Sequence, residues 1–411
     1  MRVELINTGS ELLLGNVLNT HHHWLAQQLT RAGYTLAHQQ TVPDTGEAIQ
    51  AAAREAIARA ELVLITGGLG PTGDDLTRQL IAGLLDLSLE EDAETRDRIT
   101  THFANRNRPM SEAVLIQAQV PTGANVLRND HGTAPGLALP TPRGWLILLP
   151  GPPRELRPMF TASVEPLLAE KLPPENPVTI RTLKTFGVGE TTVEESITPT
   201  LAEFISGGLE IGYCARAGEV DVRFTASGKG AVDCIAQAEA LVREKLGPQI
   251  YGVDDELMED IIIRQLTVSG KTLAVAESCT GGLLAHHLTN VPGASAVFLA
   301  GHCTYSNEAK QTTLGVKPET LAEHGAVSEI VARQMAEGAR ATHGADYALA
   351  TTGIAGPDGG TPEKPVGTVF IACATPNSTE VVSARIATDR ETFKQLVVQR
   401  AMNLLRLAQS P

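Results

Sequence analysis

Between Ala276 and Gly282 the chain reads AESCTGG, with a serine, a cysteine and a threonine set directly before two glycines. A nucleophile held on a sharp turn has this form, and so does a loop wrapped around a phosphate. The stretch Asn290–Gly315, NVPGASAVFLAGHCTYSNEAKQTTLG, is denser still. Ser295 follows a proline-glycine turn, and Tyr305, Ser306, Asn307, Glu308 and Lys310 crowd into one turn or first helical turn after an apolar run. A serine hydroxyl is a weak nucleophile until a base removes its proton. Histidine is the usual base. His286, His287, His302, His324 and His343 are available, none of them in a recognisable triad arrangement. The alternative is a lysine made neutral by burial or by a neighbouring cation. Lys310 sits in the polar cluster, although on spacing alone its place beside Glu308 favours a solvated helix start. A further glycine-rich loop, TTGIAGPDGG (351–360), contains Gly353 and Gly356 and is followed by EKPVGTV. With the loop holding Ser278, Thr280, Gly281 and Gly282, it suggests a nucleotide-sized, phosphate-bearing ligand. Neither loop carries a Walker-type lysine or a GxGxxG pattern, so binding of ATP or a dinucleotide in those modes is not expected.

The first 170 residues hold a second constellation: NTGSELLLG (7–15), TGGLGPTGDDLT (66–77) and LPGPPREL (149–156). Gly9, Ser10, Glu11, Gly67, Gly68, Gly70, Thr72 and Gly151 are the candidate ligand contacts, because glycines let backbone N–H groups approach a phosphate. Asp74 and Asp75 cannot bind a phosphate directly. Acids beside such a pocket imply a bridging divalent cation, for which Asp44 of TVPDTG is a plausible further oxygen donor. The competing reading is that the glycines only form tight turns and the acids cap a helix. His21, His22 and His23 point about 100° apart on a helix and cannot face one ion; they are expected on a helix surface.

Elements must position these groups. With 411 residues the chain is too long for one ordinary core, so two or three domains are expected. VELINTG (3–9), ELVLITGG (61–68) and GWLILLPG (144–151) read as buried strands, with helices near 17–32, 46–60 and from Thr77. Continuous apolar strands alternating with helices predict a parallel sheet covered on both faces, with ligands beyond the carboxyl ends of the strands. KLPPENP (171–177) predicts a boundary. Residues 178–252 read as strand, helix, two strands around RAGE, helix and short strand, a small α+β unit. In the last 155 or so residues the strands TLAVAES, DYALATTG and GTVFIACAT are interleaved with helices, and a helix over 391–408 ends the pattern.

A net charge of −14 argues against a nucleic-acid or anionic-membrane partner. Five cysteines, odd in number and without CxxC spacing, read as reduced thiols of a cytoplasmic protein. The opening MRVELINTG has no signal-peptide form, and no uninterrupted apolar run is long enough to span a bilayer.

With AESCTGG, TYSNEAK, LGV, GAVSE, TGIAGPDGG and EKPVGTV in order, residues 255–411 resemble the amidase domain of the competence-damage-inducible CinA family, a nicotinamide-nucleotide amidase. Residues 1–170 are similar to that family's molybdopterin-binding-like domain through TGSELLLG, GGLGPTGDDLT, GTAPG and LPGPPREL. The resemblance implies an α/β protein of three domains: a three-layer αβα domain, a small α+β KH-like domain at 178–252, and an α/β amidase domain. It also implies hydrolysis of nicotinamide mononucleotide (NMN) to nicotinate mononucleotide and ammonia, without a cofactor. On the motif positions Ser295 falls on the nucleophile, Lys310 on its general base, Tyr305 on an assisting hydroxyl and Arg390 on a ligand-binding cation. Cys279 is then not the nucleophile. For the first domain the resemblance implies ADP-ribose pyrophosphatase activity assisted by a divalent metal (Mg, Mn or Co) at Asp44 and Asp75. The chain departs from the family pattern at His21, Ala113, Val114 and Ile116. GVGE replaces a basic GxxG loop in the middle domain, so RNA binding is not expected there. Family members form homodimers. The rival readings are a non-catalytic nucleotide sensor and a molybdopterin-binding protein.

Overall fold

The computed structural model describes residues 1–174 and 177–409. Glu175 and Asn176 of the proline-rich break fall outside the described residues, as do Ser410 and Pro411. The chain divides into two compact units, Met1–Ile180 with Ala226–Val232 and Arg181–Thr225 with Asp233–Pro411.

The first unit is built on β1 (Val3–Thr8), α1 (Thr20–Arg31), β2 (Leu36–Val42), α2 (Gly46–Arg59), β3 (Leu62–Thr66), α3 (Thr77–Leu84), β4 (Asn125–Leu127), β5 (Gly136–Pro140) and β6 (Trp145–Leu149). The sheet order is β2-β1-β3-β6-β5-β4. Successive strand residues point to opposite faces, and both faces are covered. Val63 and Ile65 pack with Ile49, Ala53 and Ala56 of α2. Leu62 and Leu64 pack with Leu25 and Leu29 of α1. Three layers result. The expected all-parallel sheet is corrected, since β5 runs antiparallel to β6 and β4 antiparallel to β5. The link between β5 and β6 is only a few residues, too short for a crossover helix.

The second unit begins with β7 (Val178–Phe186), α4 (Glu190–Ile197), β8 (Glu210–Arg216), β9 (Glu219–Ser227), α5 (Ala231–Leu246) and β10 (Ile250–Val253), in the sheet order β8-β9-β7-β10. It continues with α6 (Met258–Ser269), β11 (Leu273–Glu277), α7 (Leu283–Asn290), β12 (Phe298–Cys303), α8 (Asn307–Leu314), α9 (Glu329–His343), β13 (Tyr347–Gly353), β14 (Thr368–Ala374), β15 (Thr379–Arg385) and α10 (Arg390–Ala408). This second sheet is ordered β12-β11-β13-β14-β15, parallel across its first three strands and antiparallel across the rest. One hydrophobic cluster joins Phe186 of β7 and Tyr251 of β10 to Ile262 of α6 and to Phe393, Val397 and Leu405 of α10. Arg406 of α10 also donates to the Pro248 carbonyl at 2.5 Å. The small α+β sheet and the last sheet thus share a core. Among the described residues no helix is long and apolar enough to cross a membrane.

Candidate active sites

In the second unit the parallel strands β11, β12 and β13 end on the same side. Glu277, the last residue of β11, is 1% exposed. Its carboxylate turns back to accept N–H bonds from Gly282 and Leu284 at 3.0 Å and from Ala285 at 2.8 Å. It thereby satisfies the free donors that begin α7. Gly281 and Gly282 take φ of 62° and 95°, a left-handed region that a side chain resists. The loop between is drawn into a tight arch with Ser278 at its start. Ser278 donates its N–H to the Thr351 carbonyl of β13, and Thr280 and Thr351 share a buried hydroxyl contact at 2.8 Å.

Lys310 reaches this arch from the first turn of α8, a helix started by Ser306, whose hydroxyl accepts from the Ala309 N–H. The amine is 1% exposed and lies 3.1 Å from the Ser278 hydroxyl, 2.8 Å from the Thr304 carbonyl and 3.2 Å from the Tyr305 carbonyl. Among the described residues no carboxylate pairs with it, and burial moves its pKa down. A neutral amine has two N–H donors and one lone pair. Two carbonyls can take the donors, which leaves the lone pair for the serine proton.

The expected pairing of Lys310 with Ser295 is corrected. Ser295 lies exposed on a short turn, Ala294–Ala296, before β12. Leu273 N–H, at the start of β11, bonds the Val297 carbonyl, whereas Thr304 N–H bonds the carbonyl of Glu277 at its end. Ser295 is therefore at the amino-terminal edge of the sheet, roughly 20 Å of strand from Lys310. Tyr305 and Arg390 do meet: Arg390 donates to the Tyr305 hydroxyl at 3.0 Å and to the Gly356 carbonyl at 2.9 Å. Asn307 is exposed at the start of α8, and Gly353 closes β13. Cys279 is buried, and desolvation pushes its thiol up to about 12, so it stays protonated and a weak nucleophile. Glu277, Thr304 and Thr351 carry no chemical signature in the sequence; they matter only through their position at strand ends.

In the first unit Ser10 N–H donates to Asp44 at 2.8 Å, and the Asp44 N–H donates back to the Ser10 hydroxyl at 3.2 Å. Gly9 precedes this turn, with the exposed Glu11 folded over it. Thr72 N–H donates to Asp75 at 2.9 Å, and Gly70 lies against the same carboxylate. At Gly68 an added Cβ would meet the Thr77 hydroxyl at 2.1 Å, and Gly67 presses on Thr8. His21 is half-buried rather than on the surface, and its Nε2–H donates to the Gly151 carbonyl at 2.5 Å. The two expected metal ligands are held separately: the Asp44 carboxylate accepts from Ser10 N–H of the loop after β1, and Asp75 from Thr72 N–H of its own loop. Among the described residues no group of three or more His, Cys, Asp or Glu side chains could hold an ion. That donor set does not fit a cation held by side chains alone.

Arg78, which the sequence left unmarked, lies under the same loop. It is 1% exposed, and among the described residues it hydrogen-bonds the Leu69 carbonyl, at 3.3 Å, while Nε and its other terminal nitrogen have no hydrogen-bond partner; the charge of Asp75 acts on it from the loop above. Gln117 donates to the same carbonyl at 3.3 Å, and its Oε1 is also unpartnered. An arginine directly after TGDDLT was the available signal.

Residues 4–170 match the family described as probable molybdopterin binding domain, residues 180–252 the damage-inducible protein CinA KH domain, and residues 255–408 the CinA C-terminal domain. A CinA-like protein of Akkermansia muciniphila is 44% identical over 405 residues, covering 98% of this chain and 96% of its own. A CinA-like protein of Kosmotoga olearia is 42% identical over 423 residues, covering all of both. The crystal structure of the competence/damage inducible protein CihA from Agrobacterium tumefaciens is 42% identical over 37% of this chain and 94% of its own, with a TM-score of 0.37. Similarity of that extent, across all three regions, makes this chain a member of the CinA family.

Proposed function

We propose that the carboxy-terminal domain hydrolyses the carboxamide of NMN, with Ser278 as nucleophile and Lys310 as its general base. The observation that carries this reading is the buried Lys310 amine, 3.1 Å from the Ser278 hydroxyl and hydrogen-bonded to two carbonyls. Neutral Lys310 takes the serine proton as Oγ bonds to the carboxamide carbon. The resulting ammonium returns that proton to nitrogen as the C–N bond breaks and ammonia leaves. Water then attacks the ester, Lys310 accepts its proton, and the proton passes to Ser278 as the acid is released. The same three acceptors suit the ammonium, so little need move between steps. Among the described residues the N–H groups of Cys279 and Thr280 have no backbone acceptor; they are the donors on hand for the oxyanion beside Ser278.

Ammonia release from NMN tests the assignment. Ser278→Ala should lower it at least about a thousandfold, and Ser295→Ala should leave it within about twofold. The reverse pattern would return the nucleophile to Ser295.

For the amino-terminal domain the reading is narrower. A buried guanidinium with two unpartnered nitrogens under a glycine loop supports recognition of an anion. ADP-ribose, whose pyrophosphate the family resemblance points to, is the ligand with which to test it.

A further inference from the structure

A pyridine mononucleotide carries a phosphate, and after a glycine-rich turn a phosphate commonly takes the N–H groups that begin the next helix. At α7 that place is occupied. The Glu277 carboxylate holds the N–H groups of Gly282, Leu284 and Ala285. Gly281 N–H donates to the Ser278 carbonyl and Leu283 N–H to the Thr280 carbonyl. Every N–H from Gly281 to Ala285 therefore has an acceptor inside the protein. The group seated there is itself an anion, and it repels a second. A phosphate bound beside Ser278 must be met by a cation from another element.

Helix α10 supplies two. Arg390 is tied to Gly356 and to the Tyr305 hydroxyl, which anchors the start of the helix over the site. Lys394 stands one turn further on the same face, since residues four apart are neighbours on a helix. Its Nζ lies 3.9 Å from the point where a Cβ on Gly281 would stand. It makes no hydrogen bond or ion pair among the described residues. The nearby acid Asp389 is engaged by the N–H groups of Glu391 and Thr392. Lys394 is thus a half-buried, unneutralised point charge beside the loop that bears Ser278.

We propose that Lys394 is the phosphate anchor of this site and selects pyridine nucleoside monophosphates over the unphosphorylated nucleoside. The assignment rests on reading Ser278 as the hydrolytic centre. The charge of Lys394 contributes to binding and is remote from the reacting carbon, so it acts on ground state and transition state alike.

The test compares NMN with nicotinamide riboside in the full-length protein. Lys394→Ala should lower kcat/KM for NMN about 10- to 100-fold, mainly through KM, and leave the riboside within about twofold. Lys394→Arg should restore most of the loss. In a Ser278→Ala background, calorimetry should show the same weakening for NMN and none for the riboside. Equal losses for both compounds, or none for NMN, would overturn the anchor. If the unaltered protein releases no ammonia from either compound, the hydrolytic reading fails while the binding comparison still decides the anchor. NMN affinity that ignores Lys394, or that cannot be detected, overturns it.

Discussion

The loops after β3 and after β11 look alike in sequence, each a pair of glycines following a buried parallel strand, yet they treat buried charge in opposite ways. Beside the β11 loop the Lys310 amine has an acceptor for each of its three positions, and the Glu277 carboxylate has three N–H donors. Beside the β3 loop the Arg78 guanidinium has a single carbonyl and two bare nitrogens. A buried amine with neutral acceptors and no counter-charge is pushed toward its neutral form, which suits proton transfer. A guanidinium does not deprotonate in proteins, so Arg78 stays charged, with Asp75 acting on it and two nitrogens without hydrogen-bond partners among the described residues. On the functions proposed above, one loop reacts and the other binds.

The largest expected effect separates the two. Lys310→Met should lower ammonia release at least about a thousandfold and leave ADP-ribose binding unchanged. In the unaltered protein the rate should rise with pH as Lys310 loses its proton, along a limb below about 10.4. The sign for stability follows from the same lowered pKa. Between the folded value and about 10.4 the unfolded chain holds the extra proton, so stability falls as pH drops across that window and is level beneath it. Lys310→Met should remove that slope, measured by denaturant melts across pH.

Arg78→Met sharpens the other side. Replacing a buried charge with an apolar chain should raise the stability of the unliganded domain by about 1–4 kcal/mol and abolish ADP-ribose binding. A melt that falls instead would mean that the guanidinium has partners in the free protein. Glu277→Gln keeps the shape of the carboxylate and removes its charge and one acceptor. A loss of about 1–3 kcal/mol is expected in urea unfolding, with a lower kcat as Ser278 loosens. Cys279→Ala should change ammonia release least, within about twofold, because the thiol is buried and protonated. A large loss there would move the chemistry to the cysteine.

Much of the framework was legible. LVLIT and WLILL are almost wholly apolar, VELINT is interrupted by Glu4 and Asn7, and all three are strands of one covered sheet. β2 (LAHQQTV) and β15 (TEVVSAR) were not legible, because each lies at a sheet edge, is half exposed and carries too little apolar patterning. The antiparallel turn-back of β5 was equally hidden, since a buried strand has the same composition in either direction. In the sequence the polar stretch GVDDELMED (252–260) sets the small α+β unit apart from the last sheet. The packing of Phe186 and Tyr251 into the α10 core depends on contacts that no local pattern encodes.

Apolar strands ended by glycines were enough to place the loops at strand ends, whereas Lys310 was marked as a base only by the family resemblance, its spacing fitting a solvated helix start. Which serine meets that amine was decided only in three dimensions. Ser278 and Ser295 are both small hydroxyls near glycines, and sequence distance does not say which end of a strand a residue occupies. The parallel pairing of β11 with β12 brings residue 278 and the start of α8 to one edge and leaves residue 295 at the other. The same holds for Glu277, whose role as the cap of α7 exists only because the chain reverses within five residues and aims its carboxylate at the helix that follows.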